Sequence, residues 1–355
     1  MSDQPSTRTP TGDPGGRSSS ARAFPEDPIS DKPPAPAPEA PPARKKPTKV
    51  RAGDRIFQNL TTGAGIFVVA LIALIGIFLV VQAIPALKAD KVNFLFNHGW
   101  STNDPANMAF GIADLAEVTV ATSLVALVIA MPISLGIALF LTQYAPAKLA
   151  RPFAYVVDLL AAVPSIIFGL WGILVFAPTI EPFSEWVNST FSWIPILAPG
   201  NIAPNVRGTI FTAGIVLAVM ILPIITSLTR EVFERTPTAQ VEGALALGAT
   251  RWEVIRTTVL PFGKAGFVGA SMLGLGRALG ETIALAVILL IPQGRNFDWS
   301  LFDGGATFAS KIAQNYSEFN NPTSAGAYIA AGLVLFVLTF LVNFAARAIV
   351  GKKGE

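Results

Sequence analysis

Two ionisable side chains stand in a stretch that is otherwise apolar or small: Arg277 and Glu281, within Leu273–Val287, LGLGRALGETIALAV. If the stretch is one helix, their four-residue spacing puts them on the same face. Arg277 offers a planar fork of donors suited to an oxyanion, and Glu281 is placed to hold or release that guanidinium. An arginine at mid-membrane costs at least about 2.5–3.5 kcal/mol on the insertion scale, so a use is expected. That use is either a substrate pathway or a structural ion pair locking the helix to its neighbours, and both remain open. Ala270, Gly274 and Ala284 share the face and leave room for a partner helix or a solute. Gly276 and Gly280 form a G-x-x-x-G step suited to close helix contact.

Other chemistry is scarce. The chain has no cysteine and a single histidine, His98, with no second ligand near it in sequence, so no metal site is expected. There is no G-x-x-x-x-G-K-[ST] loop, no H-E-x-x-H and no G-x-S-x-G; Gly351-Lys352-Lys353 has neither the spacing nor the context of a phosphate loop. No catalytic residue and no cofactor are therefore expected. Asp158, at one end of an apolar run, is expected to be hydrated rather than part of a pathway.

The elements that must carry Arg277 and Glu281 follow from composition. Of 355 residues, 52% are hydrophobic and only 14% charged, with mean hydropathy +0.53. A soluble domain carries about a quarter charged residues, so the shortfall indicates lipid. Six runs are long enough for a hydrocarbon core about 30 Å thick: near Thr62–Ala86, Ala113–Leu141, Phe153–Pro178, Gly208–Leu228, Ala265–Ile291 and Ser324–Val350. They are uninterrupted rather than alternating, which argues against barrel strands. The prediction is an all-α polytopic membrane protein with six transmembrane helices, in which Pro132, Pro164 and Pro223 interrupt their helices.

Residues 1–55 are rich in Pro, Ser and Gly and cannot bury enough surface to order themselves. They are expected to be a disordered tail, ending in a basic cluster from Arg44 to Arg55, with the membrane domain over 56–355. Lys and Arg near the span ends collect on one side: the basic cluster, Lys148, Arg151, Arg230, Arg235, Arg251, Arg256, Lys264, Arg347, Lys352 and Lys353. By the positive-inside rule both termini are cytoplasmic. The loops 87–107, 181–206 and 297–322 then lie outside, with Trp186 and Trp193 at the interface and an interfacial helix around Thr307–Tyr316.

The long inner loop, Thr229–Lys264, has its own local signals. Thr236 and Pro237 read as a capping side chain and a first-turn proline. A short helix comes next over Gln240–Leu247, and Gly248 stops it at positive φ. Thr250 restarts a second short helix anchored by Trp252, Val254 and Ile255, and Pro261 marks the way into span five. The pattern predicts two short helices joined by a glycine elbow. An interfacial helix pair that only steadies the bundle is the plainer alternative.

The stretch from Glu242 resembles the coupling loop of ABC importer permeases, E-A-A-x3-G-x9-I-x-L-P. This chain has Glu242, Gly243, Ala244, Gly248, Leu260 and Pro261, and departs from the pattern at Gly243 and Thr258. Val163–Pro178, VPSIIFGLWGILVFAP, and Leu273–Val287 resemble the phosphate-specific importer permeases, the C subunit (PstC-like) more than the A subunit. The likeness runs from about Thr61 to the C-terminus. It implies a MetI-like permease fold in a bacterial inner membrane, coupled through 236–261 to a separate ATPase dimer (PstB-like). It also implies a related second permease (PstA-like) and an extracytoplasmic phosphate-binding protein (PstS-like). Permeation of another oxyanion, or an ion-coupled carrier or channel without an ATPase, are the rival readings, because intramembrane charges serve there too.

Overall fold

The computed structural model describes residues 52–102, 104, 107–292 and 297–351. The tail expected over 1–55 lies outside them except for its last four residues, which open helix α1 (Ala52–Ala89) instead of being irregular. Lys352 and Lys353 lie outside them too. The chain divides into two units, 1–60 and 61–355. The described part of the first is the opening of α1; the rest of α1 and every later element belong to the second.

Six helical stretches among the described residues are long and apolar enough to cross a membrane: Gly53–Ala89, Ala113–Tyr144, Ser165–Thr190, Ile210–Glu234, Arg251–Leu279 and Pro322–Ala345. The first comprises α1. The second is α2 (Ala113–Leu139), which ends in a π-turn. The fourth is α6 (Ile210–Glu234), and the sixth lies within α12 (Pro322–Gly351).

The third span departs from expectation. The apolar run Phe153–Pro178 covers two elements, helix α3 (Ala147–Ala161) and a crossing helix that starts only at Ser165. Pro164 lacks an N–H and disfavours helical backbone at the residue before it, so the chain breaks there. The crossing helix comprises α4 (Ser165–Trp171), a π-turn over Gly172–Phe176 and α5 (Ala177–Thr190). Asp158 accordingly sits in α3, not in a span. It accepts hydrogen bonds from Ser227 Oγ at 2.7 Å and Arg230 Nη2 at 3.3 Å, tying α3 to α6. Pro132 and Pro223, by contrast, lie inside the unbroken α2 and α6. In a bundle one lost backbone hydrogen bond is tolerated when neighbouring helices support the turn.

Helix α6 is the central post, packed against α2 on one side and α9 (Leu260–Leu279) on the other. Ile210, Leu217, Ile221 and Ile225 on it are fully or nearly fully buried. Lipid offers no hydrophobic gain for such contacts, so close packing of small residues against branched ones must supply the attraction. The glycines show it: a Cβ on Gly214 would come within 2.5 Å of Val125, and one on Gly274 within 2.8 Å of Ile225.

The loops at one end are knitted together. The Asp303 carboxylate accepts from the backbone N–H groups of Asn201 at 2.7 Å, Ser300 at 2.9 Å and Asp298 at 3.0 Å. Burial raises its pKa while those three donors oppose the rise. After α1, two-residue strands β1 (Trp100–Ser101) and β2 (Ala109–Phe110) pair antiparallel. Helix α11 (Phe308–Gln314) falls where a helix was expected. Thr307 caps it, and Phe308 and Ser310 are buried against the bundle.

Candidate functional site

At the end of the bundle opposite those loops, helix α7 (Thr238–Ala246) has no buried residue. Gly248 turns the chain at φ +84°, where an L side chain is rarely accommodated. Thr250 caps α8 (Arg251–Val254) with a reciprocal capping box: its hydroxyl accepts from the Glu253 N–H while the Glu253 carboxylate accepts from the Thr250 N–H at 2.7 Å. Two helices and a glycine elbow are thus present. The start differs from expectation, because Pro237 itself occupies the capping position of α7 and Thr236 Oγ1 is buried without a hydrogen-bond partner.

The second helix is not separate from span five. A π-turn over Ile255–Val259 carries α8 straight into α9, so Arg251–Leu279 is one helix of 29 residues, about 43 Å long at 1.5 Å per residue. Pro261 lies inside it. Val254 and Ile255 are buried, and Val259 packs with Ala138 and Phe233, joined by Leu260. Trp252, expected to anchor the helix, is instead 57% exposed, and Leu247 is 90% exposed. Glu242, Gly243 and Gly248 are exposed beside them. The result is an apolar knob with an acidic residue, fastened at its base and bare at its tip.

The other end of that helix is where Arg277 lies, and here the expected geometry needs correction. Span five does not run to Ile291. Helix α9 ends at Leu279, Gly280–Thr282 are non-helical, and a half-helix α10 (Ile283–Ile288) comes after them. Arg277 and Glu281 therefore do not share the face of a continuous helix. Glu281 is 7% exposed, and its Oε1 accepts the Ala284 N–H at 3.2 Å. That satisfies one of the amides freed by the break, and a carboxylate suits the positive start of a helix. Arg277, half-buried in the last turn of α9, has no ion pair or hydrogen bond among the described residues.

The small residues also turn out differently. Gly274 is closed over by Ile225, and a Cβ on Gly169 would come within 2.8 Å of the Ala284 Cα, so α4 and α10 meet almost backbone to backbone. The face of Ala270, Gly274 and Ala284 is packed within the chain. Gly276 meets nothing within 4 Å, and Gly280 meets only its own helix, which leaves that step open to another molecule. Gln314 was not singled out in the sequence. Its side-chain amide donates to the Ala286 carbonyl at 2.9 Å, holding the far end of the half-helix. A glutamine on a short loop helix carries no signal of such a role.

The sequence places no second ligand near His98. The fold brings Asp114 to 2.5 Å from its Nδ1, and Glu117 joins them so that one ligand atom from each lies within 4.8 Å of the others. The partners are sixteen and nineteen residues away in sequence, so no local motif could have revealed them. The hydrogen bond to Asp114 raises the His98 pKa above its ordinary 6.5.

The chain thus combines six helices long and apolar enough to cross a membrane, a break after Arg277, whose guanidinium is unpaired among the described residues, and an exposed apolar knob on the same helix. This is the architecture of a polytopic membrane protein. Residues 130–354 match the family described as binding-protein-dependent transport system inner membrane component, and the chain belongs to it. It is 58% identical over 303 residues, 85% of this chain and 93% of the relative, to Phosphate transport system permease protein PstC 2 of Mycobacterium tuberculosis. It is 39% identical over 298 residues to Phosphate transport system permease protein PstC of Mesorhizobium japonicum, covering 83% and 89% of the two chains. In fold it is similar to a crystal structure of a bacterial ABC transporter involved in the import of the acidic polysaccharide alginate. That match has TM-score 0.50 at 16% identity and covers 85% of this chain and all of the other. The MetI-like permease architecture expected from the sequence is thus borne out.

Proposed function

We propose that this chain is a permease subunit of an ATP-driven importer of inorganic phosphate, lining half of the translocation pathway. The observation that carries the reading is Arg277: a half-buried guanidinium with no carboxylate partner among the described residues, at a helix break continuous with the exposed 236–261 knob. Near-complete alignment with curated phosphate permeases supports phosphate over another oxyanion.

In this mechanism the knob residues Glu242, Gly243, Ala244 and Gly248 dock in a cleft of a separate ATPase, with Leu260 and Pro261 seating the base. Closure of the ATPase dimer displaces the knob, and the 29-residue helix carries the displacement to Arg277. The guanidinium receives the oxyanion as a bidentate partner, and Glu281 keeps the broken backbone satisfied while the half-helix shifts. The open step at Gly276 and Gly280 faces a second, related permease, and an external binding protein delivers phosphate at the loop end. Both termini and the knob are cytoplasmic, following the distribution of Lys and Arg, with the chain multi-pass in the bacterial plasma membrane. ATP hydrolysis belongs to the partner.

The test is reconstitution of the chain in vesicles with the candidate ATPase, sister permease and binding protein, followed by labelled phosphate uptake. The expected result is uptake that requires ATP and all partners and prefers phosphate to sulfate. Uptake that proceeds without an ATPase would favour a carrier and overturn the reading.

A further inference from the structure

At the loop end a cavity of about 390 Å³ opens between the loop after α1, the first turns of α2 and the segment after α10. His98, Trp100, Asp114, Ile291, Pro292 and Lys311 are among the residues that line it. Lys311 is its distinctive feature. Its ammonium stands over the Trp100 ring, 5.6 Å from the centroid, and among the described residues it has no carboxylate within 4.0 Å and no side-chain hydrogen bond. Glu117, beside His98 and Asp114, keeps Oε2 buried without a hydrogen-bond partner among the described residues, and the other carboxylates nearby are engaged. Glu318 accepts from Tyr328 at 2.5 Å, Thr102 at 2.9 Å and Asn315 at 2.8 Å, while Asp114 holds His98.

A half-buried ammonium loses hydration without gaining a counter-ion, and such a position is costly unless an anion visits it. Burial lowers the Lys311 pKa accordingly. The six residues of α10, spanning about 9 Å, separate this cavity from Glu281. We infer that the cavity lined by Lys311 and His98 is an entry subsite for a small inorganic oxyanion, occupied before the ion reaches Arg277. The inference rests on the proposed function for the identity of the ion, not for the existence of the site. Lys311 supplies a point charge, His98 in its protonated form a second donor at Nε2 while Nδ1–H is held by Asp114, and the Trp100 face keeps water from one side.

The test is amine footprinting of Lys311 in open fragments of native membrane containing the full chain. An amine-reactive ester is applied with rising inorganic phosphate at constant ionic strength, with exposed Lys88 as the internal control. Phosphate is expected to slow Lys311 modification about tenfold, as one charge-assisted contact implies, with Lys88 unchanged. Protection by sulfate as well would still support the oxyanion site, while counting against phosphate selectivity. Equal effects on both lysines, or none, would overturn the site, even if the same membranes import phosphate normally. A K311M variant gives a second reading. Uptake per ATP hydrolysed should fall several-fold, with ATPase stimulation intact and K311R restoring uptake; unchanged uptake, or parallel loss of ATPase stimulation without rescue by K311R, would overturn the site.

Discussion

Adding one methyl group at two positions of the knob should have opposite effects, and backbone geometry sets both signs. Gly243 and Gly248 are both exposed, and a Cβ at either would meet nothing within 4 Å. Sterics against neighbours therefore cancel from the comparison. Gly248 sits at φ +84°, where an alanine is disfavoured by about 1–2 kcal/mol. Gly243 lies inside α7, where replacing glycine by alanine stabilises by about 0.5–1 kcal/mol. The amides that report the elbow are Leu247, Gly248 and Ala249, which donate to the carbonyls of Gly243, Leu245 and Ala244 at 3.2, 2.9 and 3.2 Å. In G248A their hydrogen exchange should quicken by about 5- to 30-fold; in G243A it should slow by about 2- to 5-fold. Uptake per ATP should fall in G248A and hold or rise in G243A. If both variants shift exchange in the same direction, the elbow is not fixed by glycine's backbone freedom, and the hinge reading fails.

R277Q should abolish phosphate uptake while the assembled complex and its ATPase remain, measured by co-purification and vesicle transport; normal uptake would leave Arg277 without a pathway role. E242K should release the ATPase from the complex or uncouple it, seen as loss of co-purification or as hydrolysis without uptake. T250A removes the hydroxyl half of the capping box, while the backbone N–H at position 250 still donates to the Glu253 carboxylate, and should destabilise the start of α8 by about 1 kcal/mol, read as faster exchange over Arg251–Val254. For His98, Asp114 raises the folded-state pKa above 6.5, so the pair stabilises the loop end fully below about pH 6.5 and the gain is lost as pH rises through the raised value. The melting difference between the wild-type chain and H98Q should therefore be larger at pH 6 than at pH 9, and an equal difference at both would refute the pairing.

What the sequence disclosed and what it concealed divide along physical lines. Crossing segments were legible because lipid demands long apolar runs, and the knob was legible because capping residues and Gly248 act within a few positions. The hidden features are breaks inside runs that stay apolar throughout. Helix α3 is amphipathic, with Lys148, Arg151 and Asp158, but its apolar stretch from Phe153 runs on into α4 with only Pro164 between them, and Pro132 and Pro223 lie in intact helices. The break at Gly280–Thr282 has no proline at all. It depends on the tight meeting of Gly169 with Ala284 and on Gln314 reaching Ala286, both long-range facts. The Asp114 partnership of His98 was invisible for the same reason.

The continuity of the 29-residue helix raises the question of why Pro261 does not break it. A proline in a regular helix removes one hydrogen bond and presses its ring on the preceding turn. Here the preceding turn is widened: the Leu260 N–H reaches back five residues to the Ile255 carbonyl instead of four. A π-turn moves the carbonyl ladder aside just where the ring needs space, and such turns recur where helices bend for function. The same widened turn is buried at Ile255 and at Val259, which packs against Ala138 and Phe233, so it is held rather than loose. A force applied at the exposed tip therefore meets a fixed base and a rigid shaft. At the far end of that shaft the first backbone without helical support is Gly280–Thr282, immediately after Arg277. In the proposed mechanism, strain delivered through the shaft is released at these residues, next to a guanidinium that is unpaired among the described residues, where the environment of the transported ion would change.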